Sequence, residues 1–150
     1  MIFCSCILLI TAIFFGDLWI KNKIEYKEKS LPPTLWKGRI LLHRYRNKGA
    51  MLNLGQEKSG MVAILSVLLC LLMSVCFLFS MGQRGNAGLR IGLSLLLGGS
   101  FSNTYDRLKR KYVVDYFSFN VPCSFVRKIV FNISDFCIII GALITALSVQ

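Results

Sequence analysis

Acidic residues are scarce in this chain: seven Asp and Glu stand against eighteen Lys and Arg in 150 residues, a formal charge of +11. With so few, each position carries information. Asp17, Asp106, Asp115 and Asp135 sit at the edges of apolar segments, while all three glutamates, Glu25, Glu28 and Glu57, fall in a polar loop after the first segment. Histidine occurs once, and a lone His43 cannot build a metal centre unaided, so a solvated or hydrogen-bonded loop residue is expected there. Cysteine is present but unpaired in pattern. Cys4, Cys6, Cys70, Cys76 and Cys137 lie inside apolar segments and Cys123 stands alone in a loop, which excludes a disulfide framework or a structural zinc site and leaves packing as their role. No metal and no cofactor is therefore expected. The chain also lacks internal repeats, low-complexity tracts and any basic, aromatic nucleic-acid module, so nucleic acid is not an expected partner.

What is abundant is apolar length. Hydrophobic residues make up 55% of the chain and mean hydropathy is +0.60, too apolar for an ordinary soluble fold and appropriate to an integral membrane protein. Four segments approach the roughly 20 residues needed to cross a bilayer, at residues 2–20, 61–81, 87–105 and 129–149. The first has no basic leading region and no small-x-small cleavage site, and it ends in Lys21, which marks an anchor rather than a cleaved signal. The expected fold class is an all-α membrane protein: one domain over 1–150, with four transmembrane helices and a small strand-containing cap at residues 21–60 between helices 1 and 2. Within that cap, Arg39 to Arg46 is β-compatible, Pro32-Pro33 marks a turn, and Asn47-Lys-Gly-Ala50 reads as a tight turn.

Successive spans alternate direction, so the end of helix 1, the start of helix 2, the end of helix 3 and the start of helix 4 share one membrane face. Every aspartate is near one of those places. Asp17 is expected to close helix 1, Asp106 to close helix 3, Asp115 to lie in the following connection and Asp135 to sit about two turns into helix 4. Carboxylates at membrane depth are costly unless partnered or protonated, so their gathering points to chemistry or transport.

Asp17 and Lys21, four apart, share a helix face and are expected to pair at the interface as a structural ion couple. Asn132 and Asp135, three apart, share a face of helix 4, where function is the better account of a buried acid. Asn103, Asp106 and Arg107 cluster at the end of helix 3, which fits a polar network and helix termination equally. Asp115 lies in the apolar, aromatic run Tyr112-Val-Val-Asp-Tyr-Phe117, a setting that raises a carboxyl pKa by desolvation. Meeting Asp135, it would share one proton, one acid serving as base and the other as acid, which is the chemistry of aspartic proteases.

These residues resemble the lipoprotein signal peptidase, or signal peptidase II, family of four-helix intramembrane aspartic proteases. The resemblance runs in order through Asp17 and Lys21, Asn47-Lys-Gly-Ala50, Gly98-Gly-Ser-Phe-Ser-Asn-Thr-Tyr-Asp-Arg107, Val113-Val-Asp-Tyr-Phe117 and Phe131-Asn-Ile-Ser-Asp-Phe-Cys-Ile138. It implies a catalytic dyad at Asp115 and Asp135. Asn103, Asp106, Arg107 and Asn132 would be supporting positions, with Asp17, Lys21, Asn47 and Gly99 shaping the site or cap. It implies diacylglyceryl-modified lipoprotein precursors as substrates, cut just before the lipidated lipobox cysteine, with membrane lipids around a monomer. The chain departs from the family pattern at Ser102 in place of glycine, Ser134 in place of alanine, Tyr116 in place of phenylalanine, and Met51-Leu-Asn53 after the cap motif.

One rule opposes the family. All but Arg84 and Arg90 of the eighteen basic residues fall on the aspartate face, which positive-inside reasoning would put in the cytoplasm. The family implies the extracytoplasmic side of the cytoplasmic membrane, and that orientation is the expectation adopted, since the cap and the end of helix 1 fold as a unit rather than as a short loop. The rival functions are an inactive or substrate-shifted relative that binds lipoprotein precursors, a small proton-coupled carrier, for which acids near mid-helix are expected, and a serine protease using Ser100 or Ser102, for which no lysine lies within an apolar span as base.

Overall fold

The computed structural model describes residues 2–26, 34–50, 54–82 and 86–149. The Pro32-Pro33 turn, Met51-Leu-Asn53 and Arg84 lie outside the described residues. Apolar runs without proline satisfy their own backbone as helices: α1 (Ile2–Glu25), α2 (Ser59–Gly82), α3 (Ala87–Arg110), the single turn α4 (Ser124–Arg127) and α5 (Ile133–Ser148). A short 3₁₀ turn, Gln56–Lys58, leads into α2. Three strands, β1 (Thr34–Leu35), β2 (Ile40–Asn47) and β3 (Val113–Phe119), complete a mostly helical fold.

Length and composition mark two helices, Ile2–Glu25 and Gln56–Gly82, as able to cross a membrane among the described residues. α3 has the length, 24 residues, but carries Arg90, Asn103, Asp106, Arg107 and Arg110. α5, with 16 residues, spans about 24 Å, short of a ~30 Å hydrocarbon core. The outward faces of α1 and α2 remain apolar, with Leu8, Trp19, Leu68, Leu71 and Phe79 exposed, a surface suited to lipid.

α3 is the central helix, packed on α1, α2 and α5. A small apolar core of Cys6, Ile10, Phe77, Leu93 and Leu97 fills the space among α1, α2 and α3. The α3–α5 contact is closer still. A Cβ on Gly141 would stand 2.7 Å from the Gly92 carbonyl oxygen and 2.7 Å from the Leu96 nitrogen, so backbone meets backbone there. At the far end Asn86 caps α3 by accepting from the Leu89 amide and donates to the Ser148 carbonyl at 2.8 Å, fixing the two helices antiparallel.

The sheet corrects the expected cap. Its order is β1-β2-β3, all antiparallel, with Leu41 opposite Ser118, Tyr45 opposite Asp115 and Asn47 opposite Val113. Strand structure is thus not confined to residues 21–60, because β3 comes from beyond α3. β3 carries bulky residues on both faces: Val114 and Tyr116 pack on Ile24 of α1, while Asp115 emerges on the other. Its free edge takes Phe131, whose amide donates to the Phe117 carbonyl at 2.7 Å, and this pairing delays the start of α5 from the expected 129 to Ile133.

Helix ends move for similar reasons. α1 runs on through Lys21 to Glu25 because both side chains are buried and find partners; Glu25 therefore leaves the expected polar loop and takes Arg46 at 2.5 Å and the Tyr112 hydroxyl at 2.7 Å. α3 passes Tyr105 to Arg110 and stops where Lys111 turns left-handed, φ 68°. A bulge between Leu42 and Tyr45 places His43 within β2, not in a loop, and its Nε2 lies 2.7 Å from the buried Ser118 hydroxyl.

Gly141→Ala should force α3 and α5 apart at a backbone contact and cost about 1–3 kcal/mol. Gly16→Ala, where nothing lies within 4 Å, is the control. Thermal unfolding in detergent checks this: a clear fall in Tm for the first and little change for the second is expected, and equal midpoints would refute the close packing.

Candidate functional site

The site forms where β3 meets the first turn of α5. Asn132 is the N-cap of α5 and Asp135 its third residue, so the acid lies in the first turn rather than two turns in. Their capping box is reciprocal: Asn132 Oδ1 accepts from the Asp135 amide and Asp135 Oδ2 accepts from the Asn132 amide, each at 3.0 Å. The Asn132 side-chain nitrogen then donates to Asp115 Oδ1 at 2.7 Å. One residue therefore binds both carboxyls.

The remaining two carboxyl oxygens are held in the same way. Asn47 Nδ2 donates to Asp115 Oδ2 at 3.0 Å, and its own Oδ1 accepts from the Gly49 amide, which makes the expected turn after β2. Asn103 Nδ2 donates to Asp135 Oδ1 at 3.0 Å. Each of the four oxygens thus receives one N–H from a neutral amide, and no lysine or arginine forms a salt bridge with either acid among the described residues. Burial, and next the charge of Asp135, push Asp115 up to about 7, while the Asn47 and Asn132 donors pull it the other way.

Behind the acids lies a second polar cluster. The Asp17–Lys21 pair, expected at the interface, is buried instead: 2.7 Å long, with both side chains at 0% exposure. Asp17 does not close α1, which continues two turns beyond it. Lys21 Nζ also donates to Ser102 at 3.0 Å and to Asn103 Oδ1 at 2.7 Å, which settles the orientation of the Asn103 amide toward Asp135. Asp106 is a network residue, not a helix terminator. It lies 3.5 Å from Lys21 and accepts from the Val114 amide at 3.2 Å, joining α3 to β3, but does not reach Asp115 or Asp135. Arg107 donates to the carbonyls of Gly49 at 3.1 Å and Asn103 at 3.4 Å, and its Nε is buried without an acceptor among the described residues. Gly99 contributes through space alone, since a Cβ there would stand 2.5 Å from the Ser134 carbonyl.

Three residues noted in the sequence as departures from the family, Ser102 among them also as a rival nucleophile, belong to this cluster. Ser102, Ser134 and Tyr116 donate to Asp17 at 2.7, 2.6 and 2.9 Å. The signal that could have found them is their adjacency to site residues combined with a hydroxyl in each; nothing in the spacing shows that they converge.

A cavity of about 290 Å³ opens over the acids. Its lining mixes Asn47, Asn103, Arg107 and both aspartates with Leu69, Phe131, Ile138 and Ile139, so polar and apolar parts of one ligand could be held together. α2 packs on α3 and makes little contact with α5.

Comparison with known proteins shows the family and the fold. A family model described as signal peptidase (SPase) II matches residues 9–150. The chain is 31% identical over 131 residues to a lipoprotein signal peptidase of Clostridium acetobutylicum, covering 87% of this chain and 80% of the relative. It is 29% identical over 137 residues to a lipoprotein signal peptidase of Streptococcus agalactiae, covering 90% and 82%. A solved bacterial membrane enzyme superposes with a TM-score of 0.76 at 20% identity, over 97% of this chain and 87% of that one, so the fold is shared.

Asn132→Ala removes the cap of α5 and one donor to a buried carboxyl together, and should cost about 2 kcal/mol. Thermal unfolding in detergent would register this as a lower Tm, and an unchanged midpoint would rule out Asn132 as the shared partner of the two acids.

Proposed function

Because the chain belongs to the signal peptidase II family of aspartic-type membrane hydrolases that process lipoproteins, we propose that it cuts diacylglyceryl-modified lipoprotein precursors just before the lipidated cysteine, with Asp115 and Asp135 as the catalytic dyad. The observation that carries the assignment is Asn132, which bonds to both carboxyls at once. Two acids held by one residue, each supplied only with neutral donors, suit a pair that shares a proton.

In this mechanism the ionised acid takes a proton from a water molecule, and the resulting hydroxide attacks the carbonyl carbon of the scissile amide. The protonated acid gives its proton to the carbonyl oxygen as charge develops there. The tetrahedral diol then collapses: the acid that gave its proton takes one back from a diol hydroxyl as the C=O re-forms, the C–N bond breaks, and the amide nitrogen leaves with the proton first taken from water. Asn47, Asn103 and Asn132 hold the dyad, Lys21 orients Asn103 from its pair with Asp17, and Asp106 ties α3 to the strand that bears Asp115. Arg107 lines the cavity and pins the Gly49 turn beside Asn47, and Gly99 lets α5 approach closely enough to bring Asp135 in. The apolar lining of the cavity would take the diacylglyceryl chains from the bilayer.

We place α1, α2, α3 and α5 as four spans of one unit, 1–150, in the cytoplasmic membrane, working as a monomer with the dyad on the extracytoplasmic side. Supporting that orientation against the basic excess, several of the cations on this face are neutralised within the fold: Arg46 by Glu25, Arg110 by Asp106 and Lys21 by Asp17.

The direct test is cleavage of a diacylglyceryl-modified lipobox peptide by purified protein in lipid, beside Asp115→Asn and Asp135→Asn. Wild type should cut before the lipidated cysteine, and each variant should lose more than about a thousandfold in kcat while keeping its Tm. A folded variant retaining most of the activity would remove that residue from the dyad.

The pH dependence follows from the upward shift at Asp115. A carboxyl raised to about 7 keeps its proton to near neutrality, so the shared proton is lost only as pH rises past that point. The alkaline limb of kcat/KM should begin near pH 7 and fall about tenfold per unit. A rate still flat or rising between pH 8 and 9, roughly where the pair should be fully ionised, would contradict a shared proton.

A further inference from the structure

Asp17 does not touch either acid of the proposed dyad, yet three of its four side-chain donors stand next in sequence to residues of that site. Tyr116 follows Asp115 in β3, Ser134 precedes Asp135 in α5, and Ser102 precedes Asn103 in α3; all three hydroxyls donate to the Asp17 carboxylate. Lys21 is the fourth donor, at 2.7 Å. A carboxylate offers about four acceptor sites, and Asp17 takes four donors, Lys21 and both serines on Oδ2 and Tyr116 on Oδ1. The Tyr116 hydroxyl is itself bound from behind by the Ile133 amide at 3.0 Å, which links the strand directly to the start of α5.

From this we infer that Ser102, Tyr116 and Ser134 are positioning residues which, by converging on Asp17, clamp the three segments that carry Asn103, Asp115 and Asp135 and so fix the spacing of the dyad. The inference rests on the proposed dyad but concerns residues to which that reading gives no role. Alternate residues of β3 face opposite ways, so pinning Tyr116 behind the strand sets how far Asp115 projects in front. Ser134 does the same for α5, since a helix turns about 100° per residue and a fixed hydroxyl at 134 leaves Asp135 one direction. The buried positions agree: Ser102 and Ser134 are at 0% exposure and Tyr116 at 4%. Serine hydroxyls could have returned to their own helix backbone, as Ser94 does to the Arg90 carbonyl at 2.7 Å; these two cross to another helix instead.

The clamp works through geometry, so it acts on the chemical step more than on binding. Tyr116→Phe and Ser134→Ala each delete one hydroxyl with little change of volume. Assayed on the diacylglyceryl-modified lipobox peptide, each should lower kcat about tenfold with KM within about twofold of wild type. The double variant should lose less than the product of the two single losses, because both act through one carboxylate. Ser134→Thr, which restores the hydroxyl, should recover most of the loss. A double variant with wild-type kcat, or one altered only in KM or Tm, would overturn the clamp. Hydrogen exchange followed by mass spectrometry separates this outcome from failure of the proteolytic reading. If wild type proves inert on the peptide, the variants should still exchange faster at residues 113–117 and 132–136 than over the rest of the chain, and unchanged or globally lost protection would overturn the clamp there too.

Discussion

A buried ion pair governs this structure. Asp17 and Lys21 sit one turn apart on α1 with their side chains wholly out of solvent. Removing two charges from water costs several kcal/mol per ion even in relaxed proteins, and the mutual attraction offsets this only when the remaining lone pairs and protons are also satisfied. Here they are. Asp17 has three hydroxyls besides its lysine, and Lys21 spreads its protons over Asp17, Ser102 and Asn103. The cost of burying the pair is thereby converted into a requirement that α1, α3, β3 and α5 come together in one arrangement.

From that centre, order passes outward through asparagines. Lys21 donates to Asn103 Oδ1, so the amide must present its nitrogen to Asp135; Asn132 serves as helix cap and as donor to Asp115; Asn47 closes its own turn and holds the other Asp115 oxygen. Asparagine suits this because one side chain both donates and accepts without bringing a charge. Had lysine or arginine held the same oxygens, both acids would ionise readily and a shared proton would be disfavoured. The cations stay one layer back, and the Asp115 carboxyl is pushed up to about 7 by burial and by the charge of Asp135.

Much of this was legible in the residues. Four acids at the rims of apolar segments, Asn132 three before Asp135, and Asp115 alone in an aromatic run all pointed to the place where the acids meet. The turn at Asn47 was readable from its Gly and Ala neighbours. Less readable were the ends of elements. Local pattern gave β3 away poorly, since Val-Val-Asp-Tyr-Phe is buried on both faces and shows no alternation, and α5 started late because Phe131 was taken by the sheet. Asp17 and Lys21 looked interfacial because four-residue spacing says that two side chains meet, not how deep they lie.

The sequence by itself determined that the chain is a membrane protein, through its apolar length, and pointed to its four aspartates as one group, through their places at the edges of apolar segments. Its ordered motifs also placed it in a family. Only the tertiary structure decided which groups share a partner. Ser102, Tyr116 and Ser134 reach Asp17 across 85, 99 and 117 positions of chain, and no periodicity within a segment records contacts of that range. Burial decides such contacts: a carboxylate withdrawn from water must find donors wherever the packed helices bring them, and the sequence names the donors without naming their meeting point.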